Sequence, residues 1–551
     1  MPTKYIFVSG GVISSLGKGV TAASIALLLK SHGYQIALVK CENYLNIDAG
    51  LINPIEHGDP FLCHDGTEAD MDLGTYEKFL GVEMGKDNFI TMGQIYRQVI
   101  ERERNFGYHG EDVEAIPYVT DEIINRIKKA GETKKTDIII VELGGTAGEY
   151  QNALYYEASR IMKYRGDTVL HIHVSYLPTP SHIGEPKTKP TQLSVRTLNS
   201  MGIQPDFIIA RADKIMDKRR RERFSLFCSV KPENIIDDPD LNTPYELPLI
   251  FLKQQFDKKI LAELKLPAKK INLTDWEKYL NKFKKRNNQV KRIAIVGKYF
   301  ATGDYQLRDS YAALMDALDH ASCYLQKKIN IEFINSEELE KKGLKKLSKV
   351  DGIIVPIGWG GRGVEGKISA IKHARTNKIP YLGLCYGMQL AVVEFARNEL
   401  GLKDAHTTEV NPQTKYPVIH MIRNQEDVLK KRAYGGTMRL GTWNCRLEPK
   451  SRTSKIYEKW GRELKIQYSL PIISERHRHR YEFNNDYKDN LEKKGLIIAG
   501  ESATEPLVEV IELPVSVHPF FIGVQYHPEY KSRPLSPHPL FLEFIQTLFN
   551  N

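Results

Sequence analysis

The sequence is poor in cysteine. Six cysteines (Cys41, Cys63, Cys228, Cys323, Cys385 and Cys445) are scattered over 551 residues, and none forms a Cys-x-x-Cys pair. That spacing argues against a zinc site or a disulfide framework and predicts a reducing, cytoplasmic setting. No run of about 18 apolar residues occurs, so no membrane partner is expected. No secretory leader is expected either, because MPTKYIFVSGG passes directly into a short apolar run and a glycine-rich loop. Internal repeats, low-complexity tracts and arginine-rich tails are also missing. The formal net charge is +10, but much of the excess sits in two clusters, DKRRRERF at 217–224 and the segment 265–292. Neither is interleaved with aromatics as in an RNA-binding motif, so no nucleic acid partner is expected. An anionic small molecule such as a nucleotide uses the same charge.

What is present is α/β patterning, in a chain too long for one core. KYIFVSG is a short apolar run ending in glycine, and TAASIALLLKSHG has helical composition with Gly33 as its stop. QIALVK, TDIIIVELGG, TVLHIHVSYL and DFIIARAD are further apolar runs, which predicts a parallel sheet covered on both faces. The character turns polar and basic near Leu264, and a second α/β rhythm starts at KRIAIVGKY. The expected division is a first domain over 1–266, a linker over 267–289 carrying one helix, and a second domain over 290–551.

GGVISSLGKGV, residues 10–20, lies between the first strand and the first helix, where α/β sheets bind phosphate. Backbone N–H groups and the helix dipole favour an anion there, and Lys18 adds a charge. The strict pattern G-x-x-x-x-G-K-[ST] fails twice, at Val12 and Gly19. Acidic residues that suit the magnesium of a bound nucleotide occur as Asp65, Glu68, Asp70 and Asp72, and as Glu142 at a strand end. Lys187 and Lys189, with Thr188, Thr191 and Gln192 before a helix, suit a polyphosphate equally as well as they suit a basic capped loop.

In the second half, Gly383-x-Cys385-x-Gly387 has the spacing of a nucleophile elbow. VQYHPEY supplies His527 to take a thiol proton and Glu529 to orient the imidazole. VPIGWGGRG, residues 355–363, offers backbone N–H groups for an oxyanion. A lone cysteine is most simply a core thiol; the three elements together read as a glutamine amidotransferase site.

Over nearly its whole length the sequence resembles the CTP synthase family, most specifically in SSLGKG, EADMDLG, VELGGTAG, KTKPTQ, GGTMRLG and ERHRHRYEFNN. The resemblance implies a P-loop-like parallel-sheet synthetase domain followed by a class I glutamine amidotransferase α/β domain. It implies ATP at Ser15, Leu16, Gly17, Lys18, Gly19 and Val20, with Lys40 among the phosphates and Arg211, Pro239, Asp240 and Leu241 near the adenine. Asp72 and Glu142 are implied to hold Mg2+. UTP or the product CTP lies against Ser14, Glu149, Tyr150, Gln151, Lys187, Thr188, Lys189, Pro190, Thr191, Gln192 and Arg223. Cys385, His527 and Glu529 are the implied catalytic residues. Gly358, Tyr386, Gly387, Met388, Gln389, Glu409 and Arg480 are implied to hold glutamine. ATP and glutamine are the implied co-substrates, GTP an activator, and a filament-forming homotetramer the implied assembly.

The sequence departs from the family pattern at named places. The segment usually reading Pro-Gly-Gly-Phe-Gly is Pro356-Ile357-Gly358-Trp359-Gly360 here, and Tyr386 replaces the usual leucine after the cysteine. A β-branched residue at 357 is expected to restrict the oxyanion segment. Glu114 stands for Gln, Tyr118 for His, Glu149-Tyr150-Gln151 for Asp-Ile-Glu and Arg223 for Lys. These changes leave two alternatives open: an amidoligase for another nucleotide, and a non-catalytic assembly or regulatory paralogue.

Overall fold

The computed structural model describes residues 2–54, 58–132, 135–182, 184–287, 289–298, 300–302, 305–306, 308–422, 425 and 435–550. Two compact units emerge. One comprises Met1–Ala49 and Asp72–Thr274, the other Gly50–Met71 and Asp275–Asn551.

The first unit is built on seven parallel strands: β1 (Lys4–Gly11), β2 (Ile36–Glu42), β3 (Phe89–Thr91), β4 (Ile138–Leu143), β5 (Thr168–Tyr176), β6 (Phe207–Ala212) and β7 (Ile235–Pro239), ordered β3-β2-β4-β1-β5-β6-β7. β1, β2 and β4 are buried along almost their whole length, which is why they read as continuous apolar runs. The register sets Val8 and Lys40 each beside Glu142. Helix α1 (Lys18–Ser31) follows β1, α2 (Met71–Leu80) closes the acidic stretch, α3 (Lys189–Ser200) follows β5, and α4 (Lys218–Cys228) follows β6.

The second unit is built on a nine-stranded sheet: β8 (Val290–Gly297), β9 (Lys328–Asn335), β10 (Gly352–Val355), β11 (Tyr381–Leu384), β12 (Arg439–Leu447), β13 (Ile472–His479), β14 (Ile497–Ser502), β15 (Val508–Glu512) and β16 (Phe521–Val524). Their order is β9-β8-β10-β11-β16-β15-β14-β12-β13. The half from β9 to β16 is parallel and the half from β16 to β13 antiparallel. An apolar core covers each face.

Two boundaries differ from those expected. The expected linker does carry a helix, α5 (Thr274–Lys284), but Trp276, Tyr279 and Leu280 bury it, and nearly all of it belongs to the second unit. The segment Gly50–Met71, expected inside the first domain, also packs in the second unit. Arg478 pairs there with Glu68 at 2.6 Å and Asp59 at 3.3 Å, and Arg476 donates to the Leu62 carbonyl at 2.9 Å. A buried guanidinium requires such partners, and these lie far away in sequence.

Candidate functional site

The phosphate loop of the first unit turns through three left-handed residues, Val12, Ser15 and Gly17, before α1 begins. No acidic side chain occupies the first turn of α1, which leaves its N-terminal N–H groups suited to an anion. Lys18 is buried and donates to the Gly145 carbonyl at 2.7 Å. Burial lowers its pKa, and neighbouring Lys40 lowers it further. The departure from the standard loop at Gly19 has a steric cause: a Cβ there would lie 1.9 Å from Asp72 Oδ1.

Lys40 stands between Glu142, at 2.8 Å, and Asp72. Tyr76 also donates to Glu142. Burial pushes the Glu142 carboxyl up to about 7, helped by the charge of Asp72 and opposed by Lys40 and Lys18. Asp72 and Glu142 converge on one ammonium, which Glu42 also meets at 3.2 Å, and so form a cation site. They fit Mg2+, which typically takes one or two carboxylates and completes its shell with substrate phosphates and water. Among the described residues no cluster of three or more His, Cys, Asp or Glu forms a dedicated metal cage. Of the other acidic residues expected here, Asp65 accepts from the Thr67 N–H within its own turn and Glu68 belongs to Arg478.

Arg211 and residues 239–241 meet at the ends of neighbouring strands, with Arg211 donating to Asp238 at 3.0 Å and to Asp240 at 3.2 Å. Lys187, Thr188, Lys189, Gln192 and Arg223 line one cavity of about 430 Å3. Glu185, Arg219 and Arg220 join them there; the basic cluster 217–224 flags the two arginines in the sequence, whereas nothing in it flags Glu185. Thr191 is buried and accepts from Ser175 at 2.8 Å, so it braces the start of α3. Glu149 lies outside that lining. It accepts from the Thr146 N–H and hydroxyl, both at 2.7 Å, and from Asn43 at 3.0 Å. Tyr150 is 99% exposed, and Ser14 and Gln151 are exposed.

In the second unit Cys385 joins β11 to helix α7 (Tyr386–Glu399) with φ 51° and ψ −99°, a strained conformation typical of an elbow. The flanking glycines are required by contact. A Cβ on Gly387 would lie 2.0 Å from the Val355 carbonyl oxygen, and one on Gly383 would lie 2.6 Å from the Tyr381 hydroxyl. Cys385 Sγ is 3.7 Å from the Arg478 carbonyl oxygen and accepts from Gln525 Nε2 at 3.5 Å. His527 Nδ1 lies 2.7 Å from Glu529 Oε1, and its buried Nε2 has no hydrogen-bond partner among the described residues. Burial opposes charge on His527, but Glu529 and Cys385 outweigh it and lift the imidazole to about 10.

The segment after β10 faces this elbow. Ile357 is 2% exposed and lies outside the left-handed region, so the restriction expected of a β-branched residue costs nothing here. Gly358, Tyr386, Gln389, Glu409 and Arg480 line the Cys385 cavity, together with Trp359, His479 and Tyr481, to which the sequence assigns no role. Gly387 and Met388 are buried in the first turn of α7 and are not on that lining. The enclosed volume is about 10 Å3, near that of one water, so a larger ligand enters only as side chains part. Glu409 accepts from the Gly360 N–H at 2.6 Å, and Arg480 donates to Thr437 at 3.0 Å and to Gln425.

A strained cysteine elbow and a His–Glu pair in one unit, with a phosphate loop in the other, define a class: a glutamine amidotransferase joined to a nucleotide-binding synthetase. Residues 4–266 match the family described as CTP synthase N-terminus, and residues 306–547 match glutamine amidotransferase class-I. A CTP synthase of Caldanaerobacter subterraneus subsp. tengcongensis is 46% identical over 550 residues, covering 99% of this chain and 98% of its own length. One from Sulfolobus acidocaldarius is 47% identical over 546 residues, 98% of this chain and 99% of its own. Among solved structures, the acivicin-bound glutaminase domain of Trypanosoma brucei CTPS is 36% identical with TM-score 0.41, covering 47% of this chain and 94% of its own. The chain belongs to the CTP synthase family.

Proposed function

We infer that the chain is a glutamine-hydrolysing CTP synthase, aminating UTP at the 4-position with ATP and with ammonia released from glutamine. One combination supports the reading: a His527–Glu529 pair at 2.7 Å and a strained Cys385 elbow, in a chain related to CTP synthases over 99% of its length. The Cys385 sulfur attacks the side-chain amide of glutamine. His527 moves the proton to the departing ammonia and then activates the water that cleaves the thioester, while Glu529 holds the imidazole. Backbone N–H groups at Ile357 and Tyr386 suit the developing oxyanion. Arg480 suits the substrate carboxylate and Glu409 its ammonium.

In the first unit the uracil O4 attacks the γ-phosphoryl group of ATP. Ammonia then adds at C4 and phosphate departs, giving CTP, ADP and phosphate. Lys18 and the N-terminus of α1 hold the transferring phosphates, and Lys40 neutralises charge beside them. Asp72 and Glu142 would hold Mg2+, which would neutralise charge on the phosphates. Arg211 with Pro239, Asp240 and Leu241 borders the adenine. Lys187–Gln192 and Arg223 take the UTP triphosphate, and Ser14, Glu149, Tyr150 and Gln151 border the pyrimidine. The Asp-to-Glu change at 149 is a weak argument for another base, because that carboxylate is spent on Thr146 and Asn43.

The reading includes a filament-forming homotetramer, to which exposed Phe106, Ile116, Tyr150 and Tyr164 lend apolar surface. It includes GTP as activator, and a cytoplasmic location supported by six cysteines that form no disulfide among the described residues. No helix among the described residues is long and apolar enough to cross a membrane. Incubation with UTP, ATP, Mg2+ and ammonia tests the synthetase half without the glutaminase. CTP is expected, and its absence sinks the reading.

A further inference from the structure

The carbonyl groups of the segment Pro356–Gly360 are held by side chains that no step above uses. Lys367, in helix α6 (Val364–Thr376), is fully buried and donates from Nζ to the Pro356 carbonyl at 3.2 Å. Tyr311 donates to the Ile357 carbonyl at 3.2 Å. Lys298 donates to the Trp359 carbonyl and, at 2.9 Å, to that of Gly360, which also accepts from the Tyr386 hydroxyl at 3.3 Å. The Tyr386 ring has Lys367 5.3 Å and Lys298 5.8 Å from its centroid, an arrangement of two cations on one aromatic side chain. A Cβ on Gly358 would come within 2.8 Å of Lys367 Nζ and 3.2 Å of Lys298 Cε.

Among the described residues Lys367 makes no ion pair. A buried ammonium lacking a carboxylate is a poor stabiliser of a fold, and an apolar side chain of its size would do better there. Its hydrogen bond, however, acts on a particular peptide. The Pro356 carbonyl and the Ile357 N–H are two ends of one amide plane, so holding the oxygen aims the N–H.

We propose that Lys367 is a positioning residue of the glutaminase: with Lys298 and the Tyr386 ring it clamps the 356–360 backbone so that its N–H groups face the glutamine amide oxygen. This rests on the glutaminase reading of Cys385. Burial, and then Lys298, lowers the Lys367 pKa well below its ordinary value, and the amine donates to Pro356 in either protonation state.

The test is Lys367→Met, which keeps length and removes the donor, with Cys385→Ser alongside. Glutamine hydrolysis by Lys367→Met is expected to fall about 10- to 100-fold in kcat, less than the ~10²–10³ of deleting an oxyanion donor outright. Its KM for glutamine is expected to stay within about threefold, since no direct ligand contact is lost. Ammonia-dependent CTP formation serves as the folding control and is expected to be unchanged. A parent-like kcat, a change confined to KM, or an equal loss of the ammonia-dependent rate overturns the proposal. Cys385→Ser as active as the parent overturns the glutaminase reading and this inference together. An inactive Cys385→Ser with a fully active Lys367→Met overturns the inference alone.

Discussion

His527 carries a charge that water would not give it at neutral pH. Its ordinary pKa of 6.5 rises to about 10 in the fold, because Glu529 and Cys385 outweigh the opposing effect of burial. A group whose folded pKa is raised adds stability that is complete below its unfolded pKa and is lost as pH climbs through the folded one. The Tm advantage of the parent over His527→Gln is therefore expected to be fullest below pH 6.5 and to shrink as pH rises from 6.5 through about 10. A difference constant over that interval contradicts the assignment of charge to His527. Cys385, His527 and Glu529 are legible in the sequence because an elbow and a His-x-Glu spacing are local patterns. Lys298 and Lys367 are not. Each is an ordinary lysine in an α/β segment until the fold buries it against carbonyl groups.

At the scale of elements, the phosphate loop explains its own irregularity. Gly19 replaces the usual hydroxyl residue because Asp72 occupies the space of its side chain. Gly19→Ala must push Asp72 away from Lys40, and displacement of about 1 Å at a reacting centre costs on the order of 10²-fold in rate. The ammonia-dependent rate of CTP formation is expected to fall by about that factor, with helix content by circular dichroism unchanged. A variant as fast as the parent removes Asp72 from the site. The strands β1, β2, β4, β5, β6 and β8 were readable from their apolar runs, since buried parallel strands carry no alternation. The place of Gly50–Met71 was not, because it depends on Arg476 and Arg478 finding carbonyls and carboxylates there. The 187–192 and 217–224 clusters were visible as charge, yet only the packing of α3 and α4 around one cavity joins them.

At the scale of the whole molecule, each unit holds one half of a reaction whose shared currency is ammonia. The sequence carries this division plainly, in two phosphate- and sulfur-centred motifs set in separate α/β rhythms. What it hides is which departures matter. Ile357 sits without strain in the core and Glu149 braces a turn, so neither change removes the chemistry expected of the family. The most direct test follows the nitrogen. With UTP, ATP, Mg2+ and glutamine labelled with 15N at the side-chain amide, the account predicts CTP carrying the label on its 4-amino group, and none of that product from Cys385→Ser. UTP left unaminated, or the same labelled product from Cys385→Ser, would contradict it.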